Sequence, residues 1–317
     1  MSKQSGKCSF VILAAVLGIA CAQFGFAQTF HSVSIPASAS GGIFSMSAGG
    51  NSVWFTANGN AYSYHHGDSG FQQYPHTPAG LLQIAAGGGN SFWLTPDEVW
   101  VLGPLMNDFN NIPYRLTSSG FVQMPGRLSQ IAVGPGGRDS CHPYEVWGLN
   151  SSNEIFRFDY CSGQFNQQPG SLGSIAVGGA GVWGVNSSGQ ISQLNFATHT
   201  LIQIPGIPNV VELTVGPTGT WGLDSFDQVY EFNPLTQTFV VMNGQFMADI
   251  SAGGNGVWGL TRPDMKGHVG VWRLEPSIQQ FVQVVSAGPN SLLFSVGDGS
   301  GIWSPDADNR VFAFSTP

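Results

Sequence analysis

Charged side chains are scarce in this 317-residue chain, where Asp, Glu, Lys and Arg together make up 9% of the sequence. An average globular domain carries about 25%. Basic residues are rarer than acidic ones, with ten Lys and Arg against 18 Asp and Glu. Nucleic acid attracts proteins through clustered Lys and Arg. The composition therefore argues against nucleic acid as a partner, while 42% hydrophobic residues can form a sizeable core.

Long apolar runs are also missing, apart from one near the N-terminus. Residues 10–21 are apolar, follow two lysines and precede small residues. This run is too short to cross a bilayer, and the pattern predicts a secretory signal peptide over residues 1–27. Cleavage is expected between Ala22 and Ala27, with Ala27 preferred. Lipidation at Cys21, which would make a lipoprotein, is an alternative.

The mature product predicted from this signal is a single domain of residues 28–317. It would carry a net charge of −10, because both lysines of the leader are removed. It has no second apolar run of membrane length, so we expect no membrane insertion after signal removal. The expected location is secreted, periplasmic or on the cell surface.

Cysteine is rare, and only Cys141 and Cys161 remain in the predicted mature chain. They flank a predicted hairpin, VWGLN followed by EIFRFD, which turns at residues 151–153. Antiparallel pairing brings both cysteines to the open end of that hairpin, within reach of a bridge. Outside the cytoplasm a disulfide is the expected state. The alternative of a metal-binding or nucleophilic pair lacks supporting ligands nearby.

Motifs for catalysis are missing as well. The seven histidines show no HExxH or other ligand spacing, and no serine lies in a GxSxG elbow. The triplet Gly87–Gly89 introduces neither a helix nor a lysine, so it does not predict a phosphate site. Asp306, Asp308 and Asn309 lack the glycine and distal glutamate of a calcium loop and lie where a hairpin turn is expected. We therefore predict no catalytic residue, no metal and no cofactor.

What the sequence does contain is a repeat. A tryptophan with an upstream glycine returns at intervals of 36 to 47 residues. A strand such as QIAVG precedes it, a strand such as IFRF follows it, and a fourth such as FVQMPG ends the unit. Period-two alternation between turn residues marks short strands, and no stretch has a convincing helical period. The seven repeat anchors are Trp54, Trp100, Trp147, Trp183, Trp221, Trp258 and Trp303.

Four strands in about 40 residues, repeated, indicate the blades of a β-propeller. The last unit stops after VFAF without a fourth strand, whereas FHSVSIP (residues 30–36) has the shape of a fourth strand without a blade. Joining the two completes a seventh blade and hides sheet edges. The predicted fold is all-β: a seven-bladed β-propeller of four-stranded antiparallel blades, its last blade closed by the N-terminal strand. The anchor tryptophans would fill the space between blades.

Loops on a rigid ring are where binding is usually built. The longer repeats predict insertions outside the strands at residues 91–98, 103–111, 135–144 and 262–267. Trp93 lies in the first of them and is a candidate for ligand binding as an exposed aromatic residue. Tyr114 and Trp272, at the aromatic position of the third strand, are further ligand-binding candidates. Packing between blades is the alternative for all three.

Several elements recur together in the form of the tectonin repeat. VWGLN (146–150), IFR (155–157), VWGV (182–185) and VQMPG (122–126) resemble that repeat. The likeness extends over essentially the whole mature chain, although WFT, WVLG and WSP replace WGV in units 1, 2 and 7. The resemblance implies an exported, lectin-like propeller that binds glycans without catalysis.

Unit 1 carries a second likeness. GGNSVWFTANGNAYSY followed by FQQYP resembles the repeat of virginiamycin B lyase-type propellers, a family that uses a histidine and acidic residues with magnesium. On that reading His65, His66 and Asp68 would form a metal or acid–base site, and a solvated loop is the alternative. A protein-binding scaffold is the third function class that the sequence leaves open.

Overall fold

The computed structural model describes residues 30–88, 96–106, 108–207, 209–244, 246–288, 295–297, 301–306 and 310–314. The predicted signal peptide, Cys21 and Trp93 lie outside this part of the chain. The described residues form β-strands and one short 3-10 helix, Ala37–Ala39. In this part of the chain no helix is long and apolar enough to span a membrane.

The strands form seven four-stranded antiparallel sheets, each a blade. The chain begins with β1 (Phe30–Val33), which belongs to the last blade. The strands of each blade are given from the inner to the outer one. Blade 1 has β2 (Ile43–Ala48), β3 (Ser52–Ala57), β4 (Asn60–His65) and β5 (Gln72–Gln73), and blade 2 has β6 (Gln83–Gly87), β7 (Glu98–Leu105), β8 (Asn111–Thr117) and β9 (Gly120–Gln123). Blade 3 has β10 (Gln130–Asp139), β11 (His142–Leu149), β12 (Glu154–Asp159) and β13 (Gln164–Ser171).

The second half of the ring repeats this arrangement. Blade 4 has β14 (Ser174–Gly178), β15 (Gly181–Val185), β16 (Ile191–Asn195) and β17 (Thr200–Ile204), and blade 5 has β18 (Val210–Val215), β19 (Thr220–Asp224), β20 (Val229–Asn233) and β21 (Thr238–Val241). Blade 6 has β22 (Asp249–Gly253), β23 (Gly256–Leu260), β24 (Val269–Glu275) and β25 (Gln280–Gly288). Blade 7 has β26 (Ser295–Val296), β27 (Ile302–Pro305), β28 (Val311–Phe314) and β1.

Blade 7 closes the ring as predicted. Strand β1 pairs antiparallel with β28, from Phe30 opposite Phe314 to Val33 opposite Val311. The rings of Phe30 and Phe314 have their centroids 5.0 Å apart. Strands from both ends of the described chain thus share one sheet, and the prediction of a seven-bladed propeller is confirmed.

The glycine that follows the anchor tryptophan has a packing role in blades 3 to 6. A Cβ atom at Gly148 would lie 2.5 Å from Cδ1 of Leu128, and one at Gly259 would lie 2.7 Å from Sδ of Met247. Both apolar side chains come from the connection that leads into the inner strand of the same blade. The Trp-Gly pair therefore leaves room beside the buried indole for the side chain that covers the sheet.

We expect Gly148→Ala to destabilise the protein by about 1–3 kcal/mol, because a methyl group there forces Leu128 out of its position. Gly173→Ala is the matched control, since the nearest atom to its added Cβ, the carbonyl oxygen of Val185, is 3.5 Å away. Urea unfolding of the two variants beside the wild type measures the difference. Equal losses in both variants would contradict this packing role.

In blades 3 to 7 the turns between second and third strands share one hydrogen-bond pattern. Oδ1 of Asn150 accepts from the backbone N–H of Ser152 at 3.0 Å and from that of Glu154 at 2.9 Å. Asp308 and Asn309 lie outside the described residues, but Oδ1 of Asp306 accepts from the Arg310 N–H at 2.8 Å. A side chain that caps its own turn explains why Asn or Asp stands there. The other members are Asn186, Asp224 and Asp264.

The third predicted insertion does not lie outside the strands as expected. Residues 135–144 extend β10 and β11 into a longer hairpin, with Asp139 opposite His142. Cys141 lies at the tip of this hairpin, and its disulfide to Cys161 is present, with Cα atoms 5.0 Å apart. The bridge joins the turn between β10 and β11 to the turn between β12 and β13, and the predicted pairing is confirmed.

Candidate functional site

All seven anchor tryptophans are buried, with at most 6% of the side chain exposed. Each lies on the second strand of its blade and packs against the next blade. Trp54 of blade 1 contacts the cluster that contains Val99 and Val101 of blade 2. Trp303 of blade 7 packs with Phe55 and Tyr62 of blade 1, which completes the circle. The structure thus places these residues in the core between blades.

Two of these tryptophans belong to buried ionic networks. In blade 2 the indole N–H of Trp100 donates to Glu98 at 2.8 Å, and Arg115 donates to the same carboxylate at 2.6 Å. The ion pair and the hydrogen bonds offset the cost of removing these charges from water. The sequence signal was available and was missed: a glutamate two residues before the tryptophan and an arginine opposite it on the third strand.

Blade 3 repeats the network. Trp147 donates to Glu145 at 2.8 Å, and Arg157 makes two hydrogen bonds to that carboxylate, at 3.0 and 2.7 Å. The guanidinium also lies over the Trp147 ring, 5.5 Å from its centroid. Glu145 and Arg157 are both buried. These charges serve the packing of blades and are closed to solvent.

The candidate ligand residues Tyr114 and Trp272 lie in different blades. Tyr114, on β8, is half-buried against the cluster that contains Trp54. Trp272, on β24, lies opposite Gly259 and is half-buried against the cluster between blades 5 and 6. Its indole N–H has no hydrogen-bond partner among the described residues. The structure does not bring the two aromatic residues together.

Potential metal ligands are sparse among the described residues. One group of three is close enough to hold an ion, Cys141, Asp159 and Cys161, and its two cysteines are joined in the disulfide. Backbone N–H groups of Ser162 and Cys161 lower the pKa of Asp159. In blade 1 Asp68 accepts a hydrogen bond from the backbone N–H of His65 at 2.8 Å, which is the geometry of a capped turn.

A central channel runs along the axis of the ring. It has a volume of about 670 Å³ and is lined by the inner strands of the blades. Most of the lining residues are glycine, alanine, valine and isoleucine, with amide and hydroxyl side chains such as Gln83 and Ser251 among them. None of the described residues that line it is charged or aromatic. The described lining of the channel therefore offers no acid, base or stacking surface to a ligand.

A second cavity, the blade 5–6 groove, lies on the outer part of blade 5 next to blade 6. Its volume is about 460 Å³, and it is lined by residues 231–235, residues 240–243 and Gln279. Glu231 is half-buried there, and burial raises its pKa. The side chains of Glu231 and Asn243 have no hydrogen-bond or ion-pair partner among the described residues. Leu235 and Val240 contribute exposed apolar side chains.

The sequence indicated nothing special about Glu231, although a signal was present. It lies opposite Trp221, the position that Arg115 and Arg157 hold opposite their tryptophans in blades 2 and 3. Blade 5 thus reverses the charge at a repeated position. Its Trp221 indole N–H has no partner among the described residues, and the position two residues before it is glycine rather than glutamate.

Exposed apolar side chains distinguish the upper face, which we define as the face that carries the turns between second and third strands and the connections between blades. They lie on those turns and connections and at the starts of inner strands. Where such residues form a contiguous patch they mark an interaction site. The members are Phe44, Leu82, Phe109, Val211, Phe226, Phe246 and Met265.

Repeated blades, buried anchors and ring closure define a closed β-propeller built from one degenerate repeat. A family model of the Tectonin domain matches residues 37–201 and again residues 194–316. The chain therefore belongs to the Tectonin domain family, and the predicted likeness to tectonin repeats is confirmed. No curated protein matches the chain.

Solved structures share the fold at low sequence identity. The structure of U3-55K is 8% identical with a TM-score of 0.62, over 90% of this chain and 98% of that one. The WD40 β-propeller domain of Doa1 is 12% identical with a TM-score of 0.61, over 92% and 97%. YCF48 bound to D1 peptide is 12% identical with a TM-score of 0.62, over 91% and 96%. At these identities the likeness concerns the fold, that of a propeller scaffold.

Proposed function

We propose that this propeller is an exported, non-catalytic binding protein that recognises surface glycans, with the blade 5–6 groove as a binding site. The observation that carries the proposal is the pair of unpartnered polar side chains in the groove, Glu231 and Asn243. Membership of the Tectonin domain family supports the lectin-like reading. The predicted signal peptide and the disulfide between Cys141 and Cys161 support export.

The groove offers the chemistry that a sugar needs. Sugar hydroxyl groups both donate and accept hydrogen bonds; the Glu231 carboxylate accepts, and the Asn243 amide does both. Pro234 and Leu235 line the same groove and present apolar surface for the C–H faces of a pyranose. A half-buried carboxylate without a protein partner gains most from a ligand that supplies one.

The groove chemistry is particular to blade 5 rather than common to all blades. The residue opposite the anchor tryptophan is Ser63 in blade 1, Gln193 in blade 4 and Ala313 in blade 7. Blade 6 has Arg273 there. We therefore expect one such site per chain, so multivalent binding would require several chains on one surface.

The double variant Glu231→Ala/Asn243→Ala is expected to bind glycans at least about tenfold more weakly, because two polar contacts to the ligand are lost. Gln193→Ala, at the matching position of blade 4, is the control and should bind as the wild type does. A glycan array with purified residues 28–317 identifies the ligand, and titration of the best glycan measures each variant. The absence of any glycan bound above background would overturn the proposal.

A protein-binding scaffold is the second candidate, favoured by the exposed apolar residues of the upper face. Among the structures with the same fold, YCF48 binds a peptide. Specific capture of a protein partner that sugars do not compete for, and that is lost with Phe226→Asp, would favour this candidate over the glycan-binding one. Phe226 is 70% exposed, so the substitution should leave folding intact.

A further inference from the structure

Side chains bridge the inner strands of neighbouring blades. In blade 2 the amide of Gln83 accepts from the N–H of Ile131 at 3.0 Å and donates to its carbonyl at 3.1 Å. In blade 3 Gln130 does the same to Ile175, at 3.2 and 3.3 Å. An amide satisfies both backbone groups because it donates and accepts at once. Glutamine is thus well suited to this position.

Blade 5 has a glutamate where blades 2 and 3 have glutamine. Glu212 lies opposite Leu223, and it precedes by two residues the residue that pairs with the anchor tryptophan of blade 5. Gln83 and Gln130 hold the same position relative to the anchor tryptophans of blades 2 and 3. Strands β18 and β22 lie side by side, and the Glu212 carboxyl group lies within interaction range of the backbone N–H of Ile250 and the side chain of Asp249.

Asp249 holds the same repeat position in blade 6, opposite Leu260. Two carboxyl groups therefore lie side by side where the seams between blades 2 and 3 and between blades 3 and 4 have an amide. An ionised carboxylate accepts hydrogen bonds only, so a hydrogen bond between the two groups requires one of them to keep its proton.

Among the described residues of the strands around the pair there is no cation to balance a second negative charge. The described residues of the neighbouring strands β14, β23 and β26 include no titratable side chain. On β19 Asp224 is engaged by the N–H groups of Phe226 and Gln228. Burial raises the pKa of Glu212 to about 7, and burial together with the Glu212 carboxyl raises that of Asp249 to about 9.

We propose that Glu212 and Asp249 share a proton that holds the inner edge of the seam between blades 5 and 6, so that the ring weakens at this seam as the pH rises. In the unfolded chain both groups release their protons near pH 4. The folded chain retains protons above that pH, so the contribution to stability is complete below about pH 4. This contribution to stability declines as the pH rises through the pKa values that the two carboxyl groups have in the folded chain.

Glu212→Gln tests the proposal, because it installs the residue that blades 2 and 3 use. The amide donates to the Asp249 carboxylate without a shared proton. We expect the thermal midpoint of the variant to exceed that of the wild type at pH 8.5 by about 3 °C or more, and to differ little at pH 5. Full-length mature protein is used throughout, with unfolding measured from pH 5 to pH 9.

Two further measurements localise the effect. At pH 8.5 the Ile250 amide should exchange its hydrogen at least tenfold faster in the wild type than in Glu212→Gln, and at the same rate in both at pH 5.5. Gln130→Glu, at the seam between blades 3 and 4, should lower the midpoint more at pH 8.5 than at pH 5. If Glu212→Gln keeps the pH dependence of the wild type, or if Asp249→Asn behaves as the wild type does at pH 8.5, the shared proton is excluded.

Discussion

Glu145→Ala is expected to cost about 3–5 kcal/mol of unfolding free energy, because it leaves the Arg157 guanidinium buried without its partner. Both side chains are buried, at 2% and 7% exposure. Their two hydrogen bonds are 3.0 and 2.7 Å long, and Trp147 donates a third to the same carboxylate. Removal of the carboxylate therefore leaves three N–H donors without their acceptor at the seam between blades 3 and 4.

The double variant Glu145→Leu/Arg157→Leu should recover much of that loss, because replacing a whole buried pair by apolar residues is often close to neutral. The exposed pair of Arg262 and Asp227 provides a matched comparison. It has the same two-bond geometry, at 2.6 and 2.7 Å, but its arginine is 67% exposed. Breaking it with Arg262→Ala should cost far less than Glu145→Ala does, because solvent screens an exposed pair. Urea unfolding of all these variants gives the comparison, and similar losses for the buried and exposed pairs would refute it.

Trp258→Ala should cost about 3–5 kcal/mol, because it opens a cavity between blades 6 and 7. Trp258 is fully buried and lies against Val296, Ile302 and Phe314 of blade 7. Its indole N–H donates to the Asn255 carbonyl at 3.0 Å. The substitution removes both the packing and that hydrogen bond.

Trp272→Ala separates the two classes of tryptophan that the sequence predicts. Trp272 is half-buried, so its removal should cost clearly less than removal of Trp258. Thermal and urea unfolding compare the stabilities of Trp272→Ala and Trp258→Ala. The glycan titration described for Glu231→Ala/Asn243→Ala is also carried out with these two tryptophan variants. A loss of binding with Trp272→Ala at intact stability would support its role as a ligand residue, whereas an equal loss of stability in the two variants would contradict the distinction.

The repeat made much of the fold predictable. The position of one tryptophan per unit fixed the second strand of every blade, and the unmatched strand at residues 30–36 pointed to the partner of β28. The error at residues 135–144 has a local reason: Pro, Gly and Cys there indicate a loop, yet β10 and β11 continue to pair up to Asp139 and His142. Cross-strand hydrogen bonds override local propensity.

The candidate site was less predictable. Trp93 remains a prediction, since it lies outside the described residues, and Tyr114 and Trp272 were chosen for their aromatic character alone. Glu231 lies on β20 and Asn243 follows the end of β21, and both are identified by side chains that lack a partner among the described residues. The sequence cannot show that a side chain lacks a partner, because Glu and Asn are both common at the surface of a β-protein.

The sequence by itself determined the number of blades, the strand order within each blade, the disulfide and the closure of the ring, because those follow from periodicity and from pairing between neighbouring segments. Only the tertiary structure decided which side chains meet across the seams. Glu212 and Asp249 come from different blades and meet because the ring places their inner strands side by side. Burial there changes what a carboxyl group can do, and burial is a property of the assembled ring rather than of any segment.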